Sequence, residues 1–409
     1  MNGMTALSIE ERLQWARRQG HPAYLWPEIP MAHWRAALLA IEEAISAVMR
    51  VPPPAATFLA PPGEAGAAAI GVAAFTSGTG PLLGHWVETG RLRVPPDLAH
   101  ILGEHLAHAR RRALRVESVL ARVLAALAEE GVKPTVLKGA HTAHAYFPEP
   151  GARPIADIDL SVGGDQVPAV AAAMTRLGYL PRIQRARPYR CDWIPPGPEL
   201  PRRLDLTHEE NPLAIEVHAG LDRDFGVRRL PFSNRETGLT EAWTAFGDAL
   251  VPAEPLLFAY LAAHASEELH RMQMLRLVEL VLVARRDFTS PAHWEALQRF
   301  ARELGACRFL YPAMALAEAL VPESMNAEAL ADFERDAPPR LRRAIARLRP
   351  ATAFNLERLS VADRFIWTRG PVETVRRAAY LLFPDRSRSL AAIYAERLWR
   401  VLRGRISFR

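Results

Sequence analysis

The chain has 409 residues, of which 49% are hydrophobic and 23% are charged, and its formal net charge is +6. This length predicts two or three domains, and the apolar content predicts packed cores and excludes a globally disordered chain. The mildly basic charge allows contact with phosphates or an anionic surface but does not require it.

Neither a transmembrane segment nor a secretory signal is expected from the sequence. No apolar run reaches the roughly 18 residues that span a bilayer, and the start Met1-Asn2-Gly3-Met4 lacks a charged stretch followed by an apolar one. The two cysteines, Cys191 and Cys307, are too few and too far apart in sequence to predict a disulfide framework or a zinc cluster. These features together predict a cytoplasmic protein.

The first part of the chain is predicted to be helical. Apolar residues recur at helical spacing over 31–41, and a proline pair at 95–96 interrupts the pattern. Asp97 is a suitable N-cap for a long helix over 98–130. We therefore expect an N-terminal helical region at residues 1–96.

The pattern changes at Gly131, where short strands begin to alternate with helices. Strands are predicted over 134–137, 155–162, 203–208 and 213–219, and helices over 140–147 and 166–177. Such alternation favours a mixed α/β unit. We place this unit at residues 97–252, a range that includes the long helix predicted over 98–130.

The chain beyond Pro252 is predicted to be helical almost throughout. Residues 256–286 carry a long apolar pattern that suits one or two helices, and prolines follow at helix-length intervals. The predicted fold class is α+β. An N-terminal helical region (1–96) and a C-terminal helical domain (253–409) flank the α/β core at 97–252.

Three acidic residues in the α/β unit are the candidate catalytic residues. Asp157 and Asp159 lie two apart on a predicted strand, so their side chains point to the same face of the sheet. Two carboxylates so placed repel one another unless a cation lies between them, and Mg²⁺ prefers such oxygen ligands. Glu216, on another predicted strand, is suited to complete a two-metal site, with Asp205 as the rival third ligand.

A glycine turn precedes the acidic pair in the chain. The segment Val136-Leu137-Lys138-Gly139-Ala140 is typical of a strand, a tight turn and the start of a helix, where backbone N–H groups can bind phosphate. Lys133 and Lys138 are the only lysines among 51 basic residues, so Lys138 marks a position where arginine was not used. The sequence therefore predicts phosphate binding beside Lys138 and Gly139.

These motifs together resemble the uncharacterised bacterial nucleotidyltransferase family of the DNA polymerase β-like superfamily. The resemblance lies within residues 131–220 and is carried by Leu137-Lys138-Gly139, by the stretch from Arg153 to Leu160, and by Ile215-Glu216-Val217-His218. It implies a polymerase-β-like core with a mixed β-sheet.

The activity that the resemblance implies is transfer of a nucleotide from a nucleoside triphosphate, with ATP as a candidate, to an acceptor hydroxyl with release of pyrophosphate. The residues implied to hold two Mg²⁺ ions, or Mn²⁺ in their place, and to carry the catalysis are Asp157, Asp159 and Glu216. The residues implied to bind the triphosphate are Lys138, Gly139, Ala140 and His141. The acceptor class stays open between a small molecule, a peptide, a protein and an RNA.

Several nearby residues keep two interpretations at the level of sequence. His141 and His144 share one helix face and could line a nucleotide pocket or serve the structure. His218 could orient Glu216 or touch a phosphate, and Arg153 could meet a phosphate or form a structural salt bridge.

The sequence also contains a second pair of aspartates and allows two other functions. Asp222 and Asp224 repeat the spacing of the acidic pair, but without a preceding glycine turn and helix they indicate a solvated loop. A catalytically inactive protein would keep the acidic pair to bind a nucleotide or a metal, and would use its helical regions to bind a partner. A basic RNA-binding scaffold would rely on the arginines near the C-terminus instead.

Overall fold

A mixed seven-stranded sheet forms the centre of the α/β unit. The computed structural model describes residues 29–52, 57–61, 63, 66–183, 190–195, 212–232, 239–269, 272–353 and 362–382. The described strands are β1 (Thr57–Phe58), β2 (Leu92–Arg93), β3 (Thr135–Val136), β4 (Ile158–Ser161), β5 (Leu180–Ile183), β6 (Arg190–Ile194), β7 (Ile215–His218), β8 (Arg223–Asp224), β9 (Arg229–Leu230), β10 (Thr240–Trp243) and β11 (Ala249–Pro252). The order in the large sheet is β10-β11-β3-β4-β7-β6-β5, and β1–β2 and β8–β9 form two-stranded sheets.

The central strand β4 makes the sheet mixed. It runs antiparallel to β3 on one side and parallel to β7 on the other, and β7 in turn runs antiparallel to β6. The α+β class with a mixed sheet and flanking helices, predicted from the sequence, is thereby confirmed.

The strands differ from the sequence prediction in two respects. β4 begins at Ile158, so Asp157 immediately precedes the strand that was predicted to contain it. β5, β6, β10 and β11 were not predicted, although Arg190–Ile194 does alternate polar and apolar residues. The strand predicted over 203–208, which includes Asp205, lies outside the described residues.

Helices precede and follow the sheet in the chain. The described helices are α1 (Met31–Val48), α2 (Gly66–Ser77), α3 (Gly80–Glu88), α4 (Pro96–Glu129), α5 (Ala140–Ala145), α6 (Val167–Arg176), α7 (Leu256–Glu267), α8 (Met274–Asp287), α9 (Pro291–Leu304), α10 (Cys307–Leu320), α11 (Ala327–Asp336), α12 (Pro339–Ile345), α13 (Pro350–Ala353) and α14 (Gly370–Leu382). The apolar stretch at 256–286 forms the two helices α7 and α8. Pro95, not Asp97, is the N-cap of α4, so Asp97 lies in the first turn, where its charge faces the positive end of the helix.

The long helix α4 connects two hydrophobic cores. Its early residues, such as Leu98 and Leu102, pack in a core that α1–α3 share with α7–α13. Its later residues, such as Leu120 and Leu127, pack with α6 against one face of the large sheet. The helices before and after the α/β unit therefore share one core, while the domain boundaries at 96 and 252 stay a prediction.

A membrane-spanning helix was not expected, and the described part of the chain contains no single helix that is both long and apolar enough to cross a membrane. The helical segments Gly66–Thr76 and Gly80–Glu88 are bent by 120° relative to one another. Only together do they have the length and apolar composition of a membrane-spanning segment.

Candidate active site

Strand alternation divides the central strands into an apolar and a polar face. Ile158 and Leu160 of β4, with Ile215 and Val217 of β7, pack in the core beneath α4 and α6. Because side chains alternate along a strand, Asp159, Ser161, Glu216 and His218 point to the opposite face. The sequence pattern therefore concentrates polar groups on one side of the sheet.

The register of β4 and β7 brings the three predicted acids together. Asp159 pairs directly with Glu216 across the parallel ladder. Asp157 lies just before β4, close enough that its charge acts on Glu216 and the charge of Asp159 acts on it. Acidic residues from two separate chain segments thus meet at one point of the polar face.

Lys138 enters this acidic cluster from the glycine turn. Its Nζ donates to Asp159 Oδ2 at 2.7 Å, and Asp159 is only 3% exposed. Gly139 has a φ of +79°, a conformation that glycine adopts without strain and that turns the chain from β3 into α5. Burial works against the ammonium group, but the charges of Asp159 and Asp157 raise the pKa of Lys138 above its ordinary value.

Arg190, which the sequence analysis did not identify, closes the other side of the cluster. It lies on β6 opposite His218, hydrogen-bonds Glu216, and donates from Nε to Asp192 Oδ1 at 2.8 Å. Arg190 could have been identified from the sequence, because Arg190 and Asp192 alternate with Cys191 and Trp193 in the pattern typical of a half-buried strand.

Lys138 and Arg190 only partly offset the charges of the three carboxyl groups. Burial and then the charges of Asp157 and Asp159 raise the pKa of Glu216 to about 9, and burial and Asp159 raise the pKa of Asp157. Asp159 differs, because Lys138 and His218 outweigh its burial and lower its pKa. A carboxyl group whose pKa is raised to about 9 carries a proton at neutral pH. A divalent cation would replace that proton, so this donor set fits a metal ion.

Divalent cations should therefore stabilise the protein more strongly as the pH rises. Without metal, Glu216 favours the folded state only while it is protonated. Because its pKa in the folded protein is raised to about 9, this contribution to stability is fully present below the ordinary carboxyl pKa and is lost as the pH rises through about 9. A metal ion that displaces this proton binds more tightly at higher pH. We expect the Mg²⁺-induced rise in Tm to be larger at about pH 8.5 than at about pH 6, as measured by thermal unfolding at both values. An equal rise at both would contradict this, and Glu216→Gln should remove most of the difference.

A buried arginine holds the backbone that leads into Asp157. Arg112 of α4, 0% exposed, donates from Nε to the carbonyl of Ile155 at 3.1 Å and from an η nitrogen to that of Ala156 at 2.7 Å. These carbonyls directly precede Asp157, so α4 sets the position from which that carboxylate reaches Glu216.

Arg153 takes part in a second buried network, behind the glycine turn. Its Nε donates to Glu279 Oε1 of α8 at 2.8 Å, and Thr142 of α5 hydrogen-bonds the same carboxylate. The Gly139 N–H donates to Thr142 Oγ1 at 3.2 Å. Of the two roles left open for Arg153, the structure shows the salt bridge, which ties the turn to the C-terminal helices.

Helix α7 and the β8–β9 hairpin form a cleft beside the acids. The guanidinium carbon of Arg223 lies 4.6 Å from the centre of the Tyr260 ring, and both residues line the cleft with Arg190, His218 and Glu267. Arg223 and Tyr260 were not identified from the sequence, which offers no periodic signal for such a contact between distant segments.

The competing pair Asp222 and Asp224 has a structural role in this hairpin. Asp222 pairs with Arg229 at 2.7 Å, and Asp224 Oδ1 accepts the N–H of Gly226 at 2.7 Å. Asp222 lies just before the hairpin and the exposed Asp224 lies within it, so both residues are at the border of the cleft.

The histidines of α5 lie against aromatic side chains. The ring of His141 is 4% exposed and contacts Tyr146 and Trp243, with ring centres 5.9 and 6.0 Å away. His144 contacts Phe246 and lies 3.3 Å from Glu117. The contacts described for His141 thus lie among aromatic rings, and the triphosphate role of His141 stays a prediction.

Comparison with known protein families identifies a sequence family that covers most of the chain. The sequence model of the family described as uncharacterised nucleotidyltransferase matches residues 69–322, more than half of the chain. The matched range contains the glycine turn, the acidic residues, Arg190 and the α7–α8 helices. No match was found in comparisons with curated proteins and with solved structures.

Proposed function

The chain belongs to the uncharacterised nucleotidyltransferase family, and we propose that it transfers a nucleotide from a nucleoside triphosphate to an acceptor hydroxyl, with release of pyrophosphate. The proposed fold of residues 97–252 is the polymerase-β-like core. The observation that carries the proposal is the meeting of Asp157, Asp159 and Glu216 on one face of the sheet, beside Lys138.

The proposed roles follow from the chemistry of each side chain. Asp157, Asp159 and Glu216 hold two Mg²⁺ ions, which would neutralise the phosphates and activate the attacking hydroxyl when bound. Once the metal ions have displaced its own proton, Glu216 would help to deprotonate that hydroxyl. Lys138 keeps Asp159 ionised and supplies positive charge next to the triphosphate.

The cleft between α7 and the β8–β9 hairpin is the proposed entrance for the substrates. It adjoins His218, which contacts Asp159, so a group held there lies next to the acids. Arg190 and Arg223 line the cleft together with the acidic residues Asp222, Asp224 and Glu267, so bound metal ions would have to supply the additional positive charge for an anionic substrate. Such a site works mainly by positioning the reactants and neutralising charge.

Labelling at two positions of the triphosphate tests the proposed reaction. The purified protein is incubated with Mg²⁺, a panel of small-molecule, peptide, protein and RNA acceptors, and each nucleoside triphosphate labelled at the α- or the γ-phosphate. Nucleotide transfer places the α label, and not the γ label, on an acceptor. Transfer of the γ label would instead indicate phosphoryl transfer and contradict the proposal.

A non-catalytic nucleotide- or metal-binding protein is the second candidate. The observation that favours it is the 2.7 Å ion pair between Lys138 and Asp159, because an ammonium group already neutralises one of the acids. Calorimetric titration with each triphosphate, with and without Mg²⁺, separates the candidates when it is combined with a pyrophosphate-release assay. Binding without pyrophosphate release across the acceptor panel would favour the second candidate.

A further inference from the structure

An imidazole lies among the carboxylates on the polar face of the sheet. His218 Nε2 is 3.2 Å from Asp159 Oδ1 and 3.8 Å from Glu216 Oε2. Within the described part of the chain, Asp159, Glu216 and His218 form a group whose ligand atoms all lie within 4.8 Å of one another, and Asp157 is not in that group. We propose that His218 is a metal ligand, and that Asp159, Glu216 and His218 together bind one divalent ion.

This inference rests on the proposed function and deepens it by naming the class of metal. Carboxylate oxygens alone suit Mg²⁺, whereas an added imidazole nitrogen favours a transition-metal ion, and Mn²⁺ is the one that shares the preference of Mg²⁺ for carboxylate oxygens. The site formed with His218 therefore takes Mn²⁺ in preference to Mg²⁺.

A buried hydroxyl marks the same place independently. Ser161 is 2% exposed and pairs directly with His218 across β4 and β7, so both side chains point to the polar face. Its Oγ has no hydrogen-bond partner among the described residues. A buried hydroxyl without a hydrogen-bond partner is unfavourable. A water molecule bound to a metal ion at this site would supply the missing partner of Ser161 Oγ.

The imidazole can exchange its hydrogen bond to Asp159 for a metal ion, because other partners hold the two acids in place. Lys138 already holds Asp159 through Oδ2, and Arg190 holds Glu216 through Oε1, so neither carboxylate depends on His218 for its orientation. The nitrogen of His218 faces the remaining oxygen of each acid, Oδ1 and Oε2. Two oxygens and one nitrogen thus converge on one point.

Pulsed electron paramagnetic resonance of the Mn²⁺-loaded full-length protein tests the assignment directly. Wild-type protein should show the ¹⁴N modulation of a coordinated imidazole, and His218→Gln should lose it. Calorimetry should show that His218→Gln binds Mn²⁺ about tenfold or more weakly, with Mg²⁺ affinity changed by less than about twofold. His144→Gln is the matched control, because His144 also lies near a carboxylate, Glu117 at 3.3 Å, and it should leave both signals unchanged.

The possible results separate this inference from the proposed function. The role of His218 would be overturned if wild-type protein bound Mn²⁺ without ¹⁴N modulation, or if the modulation persisted in His218→Gln. Transfer of the α label could still occur in either case. Failure of wild-type protein to bind Mn²⁺ would overturn the inference, and failure of α-label transfer would overturn the proposed function. The wild-type spectrum decides the question even if His218→Gln does not fold, and His218→Asn serves as a second variant.

Discussion

Replacing Asp157 and Asp159 together by asparagine is expected to lower nucleotide transfer by about three orders of magnitude or more. Asparagine keeps the volume of aspartate, and its amide oxygen can still accept the hydrogen bond from Lys138, so the fold should persist. The change removes two of the three charges that would hold the metal ions. Transfer of the α label to the acceptor measures the loss, and circular dichroism checks the fold.

The matched control removes two carboxylates from the opposite side of the α/β unit. Glu129 and Glu130 lie at the end of α4, pair with Arg176, and are on average far more exposed than the acids of the site. Glu129→Gln with Glu130→Gln makes the same change in net charge and should leave transfer within about twofold of wild type, because exposed ion pairs contribute little. A folded double asparagine variant that transfers at wild-type rate would rule out the catalytic role of the acids.

Replacing Glu279 by alanine is expected to lower the free energy of unfolding by about 3–5 kcal/mol. Glu279 is 2% exposed and Arg153 is 9% exposed, so the change leaves an uncompensated buried guanidinium and also takes an acceptor from Thr142. Denaturant unfolding measures the difference.

Two comparison variants make the stability prediction specific. Glu279→Gln keeps the hydrogen-bonding shape and should lose less stability than Glu279→Ala. Glu295→Ala, an exposed glutamate on α9, should change the free energy of unfolding by less than about 0.5 kcal/mol. If Glu279→Ala matched Glu295→Ala, the buried ion pair would have no measurable part in stability.

The same network connects stability to the proposed site. Thr142, which hydrogen-bonds Glu279, also accepts the N–H of Gly139. Loss of Glu279 therefore loosens the turn that carries Lys138, and the KM for the triphosphate should rise more than kcat falls. Steady-state kinetics on folded Glu279→Ala protein would check this, with Glu279→Gln as the milder comparison, and an unchanged KM in both would limit the network to a structural role.

The sequence alone was sufficient for the family and for the α+β class, whereas the choice of acids stays a prediction. The family model confirms the resemblance read from Leu137-Lys138-Gly139, the Asp157–Asp159 pair and the Glu216 segment. Local patterns carry this information, because the two-residue period of a strand assigns each side chain to a face without reference to the rest of the chain.

The contacts that make these residues a site were decided by the tertiary structure. The pairing of Asp159 with Glu216, the ion pair of Lys138 with Asp159, and the placement of Arg190 and His218 all join segments far apart in sequence. Strand register and buried ion pairs depend on which distant segments pack together, and no local period encodes that choice. The sequence thus determined which groups face the polar side of the sheet, whereas only the packed sheet decided which of them meet.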